Sequence, residues 1–136
     1  MKVLITGSNS LNPCGSALDF VFENCGLANG KVKAESVLEV VTRGSLIGAD
    51  QMACEWAELK NLKRKWENQI VIQEILPDDR EIPTYLRYLR FLAGYADALI
   101  LVHDQLDPHL LFLGREFLKK GKNVFELSLT KLSGSV

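Results

Sequence analysis

The chain has little cysteine, little histidine and no long hydrophobic run. Its three cysteines, Cys14, Cys25 and Cys54, form no Cys-x-x-Cys pair and are odd in number. That excludes a disulfide framework or a zinc knuckle, and buried free thiols in a reducing compartment fit better. The two histidines, His103 and His109, have no cysteine near them, so no metal site is expected. The longest apolar stretch, residues 91–102, is broken by Asp97 and falls far short of a bilayer span. Residues 1–7 are too short an apolar run for a secretory leader. These absences point to a cytoplasmic chain with no membrane contact. An excess of one charge is missing too, since 16 Lys and Arg stand against 17 Asp and Glu. A surface built wholly to grip nucleic acid does not fit that balance, which leaves only a local basic patch for such contact.

What is present is the material of one domain. The 136 residues are 47% hydrophobic and 24% charged, a balance that buries a core without covalent staples. Residues 1–130 read as a single domain without internal repeats, and residues 131–136 as a loose tail. Short apolar runs at residues 2–6, 37–42, 70–75, 98–102 and 124–127 read as strands. Asn12-Pro13 opens a helix that Gly26 stops. Ala49, Met52, Ala53, Trp56 and Ala57 share one face of a second helix. Pro83 opens a third that runs to about Tyr95, and Asp107-Pro108 caps a fourth that ends before Gly121. This alternation predicts an α/β, Rossmann-like doubly wound fold, with a five-stranded, mainly parallel sheet flanked by helices. The strand order expected is 3-2-1-4-5, ahead of the alternative 2-1-3-4-5. The run at 98–102 is apolar on both faces and belongs in the middle of the sheet.

Ligands of such sheets bind beyond the carboxyl ends of the strands, which singles out residues 7–12, 43–50, 76–83 and 103–108. Gly7, Ser8 and Asn9 lie between a strand and a helix start, where small residues and free N–H groups suit an anion. Neither G-x-G-x-x-G nor G-x-x-x-x-G-K-[ST] occurs, so the dinucleotide fingerprint and the P-loop are both absent. The segment Arg43-Gly44-Ser45-Leu46-Ile47-Gly48-Ala49-Asp50 is the stronger signal. Gly48 and Ala49 keep the helix start open, and Arg43 offers a charge to a phosphate or carboxylate. Asp50, in the first turn, suits the helix dipole and can accept hydrogen bonds from a ribose or from nearby backbone.

That segment, continued through Gln51-Met52-Ala53-Cys54-Glu55-Trp56-Ala57, resembles the hGGxxGADxxAxxWA stretch of the SLOG superfamily, and more narrowly its small YspA-like (DUF2493) members. Val3-Leu4-Ile5-Thr6-Gly7-Ser8 resembles that family's kvlvtGsR start. Residues 86–100 resemble its RNxxMxxxADxxI segment. The resemblance spans most of the chain and implies a Rossmann-like domain that binds nucleotides or nucleotide-derived molecules. In the relative DNA-processing protein A, the implied ligand is single-stranded DNA. Ser45 stands where the family has a second glycine, Asn9 where it has arginine, and its Arg-Asn dipeptide is not intact. The PGGxGTxxE motif of the Lonely Guy phosphoribohydrolases is absent, so their glycosidic cleavage does not carry over.

The third helix reads as apolar over more than half its circumference, through Tyr85, Leu86, Tyr88, Leu89, Phe91, Leu92 and Ala93. Arg87, Arg90 and Gly94 share the remaining stripe, where the arginines face either solvent or a cleft. His103-Asp104 reads as a solvated pair in a polar loop, and Trp56 and Trp66 as core and surface packing. Lys60, Lys63 and Lys65 form the best local candidate for nucleic-acid contact.

The expectation is a small-molecule binding module for a nucleotide-like ligand. Gly7, Ser8 and Asn9 meet one polar end, residues 43–50 wall the pocket, and Arg87 or Arg90 neutralises charge. A nucleoside or nucleotide N-glycosidic-bond enzyme is the alternative, with Asp50, Asp79, Glu81 and Asp104 as candidate acids. Weak single-stranded DNA binding is a third reading. No cofactor is named by the sequence, and a homo-oligomer stays open.

Overall fold

The computed structural model describes residues 1–8, 18, 37–44, 48–77, 82–103 and 107–128. The helix expected after Asn12-Pro13, the tail, and the positions Asn9, Ser45, Asp79, Glu81 and Asp104 lie outside the described residues. Five strands form one all-parallel sheet: β1 (Lys2–Gly7), β2 (Glu39–Thr42), β3 (Val71–Glu74), β4 (Ala98–His103) and β5 (Asn123–Ser128). Their order is β3-β2-β1-β4-β5, the expected one. Helices α1 (Ala49–Asn61), α2 (Ile82–Tyr95) and α3 (Pro108–Lys119) connect them.

Alternation along the strands assigns the two faces. Val3, Ile5, Val40, Ile100 and Val102 pack in one layer with Met52, Ala53, Trp56 and Ala57 of α1. Leu4, Val41, Leu99 and Leu101 pack in the other with Leu89 and Leu92 of α2 and Leu110, Leu113 and Phe117 of α3. Among the described elements, one helix on one face and two on the other make the domain doubly wound. Each fully buried Leu, Ile or Phe contributes roughly 1.5–3 kcal/mol, so these layers supply the main drive to fold. Trp56 is part of that core, whereas Trp66 is 84% exposed.

β1 is the middle strand and β4 lies beside it, buried along its whole length as its apolar sequence demands. β2 and β3 are each shorter than their hydrophobic runs. Val37 stays buried ahead of β2 even though the ladder begins only at Glu39. β3 is an edge strand, so three of its four residues are exposed and apolar periodicity marks its ends poorly. Asp107 caps α3 as expected: its side chain accepts from the Leu110 amide at 2.9 Å, with Pro108 in the first turn.

Candidate functional site

The carboxyl ends of β1 and β2 meet α1 and α2 around a pocket of about 260 Å³. Gly7, Ser8, Arg43, Gly44 and Asp50 all line it, so these sequence-derived positions come together. Gly7 is the floor. A Cβ there would lie 1.7 Å from the Val102 carbonyl oxygen of β4, so only glycine lets the two backbones approach. The next residue, Ser8, donates its amide to that same carbonyl at 3.1 Å.

A hydrogen-bonded chain runs from the core to the pocket. Asp50 is buried, with the Thr6 hydroxyl donating to one carboxylate oxygen at 2.6 Å and the Arg43 amide to the other at 3.1 Å. The Arg43 Nε donates to the Thr6 oxygen at 2.6 Å, so a single hydroxyl links the guanidinium to the carboxylate. The Arg43 Nη1 donates to the Tyr85 hydroxyl at 2.9 Å and Nη2 to the Gly7 carbonyl at 3.2 Å. All three guanidinium nitrogens are therefore fixed, yet two of the five N–H donors are used by no described residue. No described carboxylate lies within ion-pair distance of the guanidinium. The result is a rigid cation at the mouth of a polar pocket. Asp50 accepts from nearby backbone, one of the two roles expected of it, and so pins β1 to the turn after β2, where the buried bonds polarise one another.

Two of the amides beside the pocket are already paired, while those of Asn9 and the helix start after it lie outside the described residues. Ser8 donates to β4, and the Ala49 amide donates to the Ser8 carbonyl at 3.1 Å. Ala49 itself is a core residue of the α1 layer, outside the pocket lining. Gly48 precedes α1 with φ 71°, a conformation that side chains rarely adopt, so the chain's path requires glycine there whether or not a ligand does.

The arginines of α2 divide. Arg90 lies away from the pocket, with its Nε on the Glu116 carboxylate of α3 at 3.1 Å and its guanidinium over the Phe112 ring. Arg87 is exposed and lines an adjoining groove of about 500 Å³, which shares Leu76 and Tyr88 with the pocket. Phe91, read from periodicity as part of the buried face, is 56% exposed beside it. Leu89, Leu92 and Ala93 of α2 face the sheet and are buried while Phe91 is not, so the buried arc of α2 is narrower than its apolar arc.

Tyr85, Tyr88, Leu76, Pro77 and Asp107 complete the pocket. Leu76, Pro77 and Asp107 fall in loops that strand polarity had marked. The two tyrosines gave no such signal, because helical periodicity counts them as apolar. His103 is a correction: it ends β4, is buried, and holds the Glu126 carboxylate with Nε2 at 2.9 Å, while Nδ1 has no partner among the described residues. Its place as the last strand residue, under the α3 layer, keeps it out of the solvated loop. Cys54 is half-buried, and burial, then the Glu74 and Asp50 carboxylates, push its thiol above the usual 9.0, unlike an activated nucleophile. Among the described residues no group of three potential ligands could hold a metal ion, and no helix is long and apolar enough to cross a membrane.

Lys60, Lys63 and Lys65 lie at the far end of α1 and just beyond it, at the opposite edge of the sheet from the pocket. Comparison with known proteins finds no matching family model, no curated relative and no solved structure, and the functional reading rests on the geometry of the site.

Proposed function

We propose that the chain is a small-molecule binding domain of the SLOG type, which takes a nucleotide or nucleotide-derived ligand at the carboxyl edge of its sheet. The observation that carries this reading is the Arg43 guanidinium, held on three sides with two donors left over at a polar pocket. A planar fork fixed in advance loses little entropy when it meets an oxyanion, and charge-assisted bonds are the strong ones. Asp107 lines the same pocket and has one carboxylate oxygen on the Leu110 amide, which leaves the other to accept from a sugar hydroxyl.

Binding is better supported than chemistry. Cleavage of a glycosidic bond needs a carboxylate free to act at the anomeric carbon. Asp50 borders the pocket but is buried with both oxygens already accepting hydrogen bonds, an arrangement that suits holding the turn better than attacking a sugar.

Titration calorimetry with a ribose monophosphate tests the reading. Wild type binds it, and Arg43→Lys weakens binding at least about tenfold, because the charge remains but the fork is lost. Thermal unfolding of the same variant separates lost affinity from lost fold. Wild-type affinity in a folded Arg43→Lys protein removes the assignment.

A further inference from the structure

Beside the polar pocket, the stripe Thr84, Arg87, Tyr88 and Phe91 recurs at helical spacing along α2 and faces Ile75 and Leu76 across the adjoining groove. Its volume, about 500 Å³, lies within the range of small-molecule sites, roughly 300–1,000 Å³. Phe91 stacks on Tyr95 with ring centroids 6.1 Å apart, which fixes the ring while leaving the residue 56% exposed. Arg87 makes no hydrogen bond or ion pair with any described residue, and no carboxylate is among the described residues that line the groove.

We infer that this groove is the second half of the same site and receives a nucleobase. The inference rests on the proposed reading of the pocket and adds the part of the ligand that the pocket cannot hold. The two cavities share the Leu76 and Tyr88 walls, so one molecule can fill both without a gap. A flat aromatic ring gains from stacking on Phe91, whatever its identity. Arg87 has donors only, so it favours a base edge that offers two acceptors, as the O6 and N7 of guanine do. Adenine presents an amino donor at that edge and gives Arg87 one acceptor fewer. Phe91 and Arg87 are thus specificity-determining residues, distinct from Arg43, which meets the oxyanion.

The test compares a ribose monophosphate with guanosine monophosphate on the purified full chain, by equilibrium titration. Wild type binds the nucleotide about tenfold tighter than the sugar phosphate, the equivalent of one modest stacking contact. Phe91→Ala removes that margin and leaves sugar-phosphate affinity unchanged. Arg87→Gln narrows it while keeping the ring contact. Both side chains are exposed, so both variants fold. Equal affinity of wild type for the two compounds overturns the groove assignment while leaving the pocket intact, as does a Phe91→Ala variant that weakens both alike. Binding of neither compound overturns the reading of the pocket, and the groove's role falls with it.

Discussion

The two edges of the sheet are both polar, but they treat their donors differently. At the amino edge the described polar groups close on one another. The Lys122 ammonium donates to the Ala93, Gly94 and Ala96 carbonyls at the end of α2, at 2.7, 3.1 and 2.7 Å. Tyr95 donates its hydroxyl to Glu39, which raises the phenol's pKa, and the Lys2 amide donates to Asp97 at 2.8 Å. Asn61 bonds the Ile70 amide and carbonyl, and Gln69 bonds the Asn61 and Arg64 carbonyls, which ties the turn after α1 to the start of β3. At the carboxyl edge Arg43 is held as firmly, yet it keeps donors that no described group uses. A self-satisfied network stabilises strand ends. A network with surplus donors at a cavity is what the proposed ligand reading requires.

The sharpest way to break this contrast is Gly7→Ala. The added Cβ meets β4 backbone, which cannot swing aside as a side chain can, so the middle of the sheet must part. A loss of about 3 kcal/mol or more in urea unfolding is expected, in the class of overpacked or strained sites. A near-neutral change would mean that the β1–β4 approach is not what glycine serves.

Lys122→Met probes the other edge with a smaller effect. It removes the ammonium from the end of α2 and should cost about 1–2 kcal/mol, with ligand affinity unchanged. A change in affinity would erase the distinction between the edges. This lysine also has a pH signature. Partial desolvation holds its pKa below the usual 10.5, so the folded chain binds fewer protons than the unfolded one in that window. Stability from this group therefore rises with pH up to about 10.5, and Lys122→Met flattens that rise in chemical denaturation across alkaline pH.

Arg90→Met should do least. Arg90 is more than half exposed, its pairing with Glu116 is screened, and Lys119 stays near the same carboxylate. A change within about 1 kcal/mol is expected by thermal unfolding, with no effect on ligand titration. Lost affinity would return Arg90 to the site from which its Glu116 contact removes it.

Strand polarity and local pattern were enough to locate the pocket. Gly7, Ser8, Arg43 and Gly44 lie at or just past the end of an apolar run and Asp50 in the first turn of the helix that follows, and parallel strands bring those ends to one edge. The sheet order and the two apolar layers follow from the same alternation. What Asp50 and Arg43 do there was not legible, because their partners Thr6, Gly7 and Tyr85 are distant along the chain. Periodicity gave Phe91 to the core and Arg87 and Arg90 one shared fate. It records only which residues share a helix face and says nothing of how far a neighbouring helix covers that face. The α2–α3 packing decides it: Arg90 turns to Glu116, while Phe91 and Arg87 border a groove. Composition and pattern act through short-range spacing and burial, so they determine the fold and the edge where the pocket lies. The direction and partner of each polar side chain depend on contacts between elements tens of residues apart, and only the tertiary structure decides those.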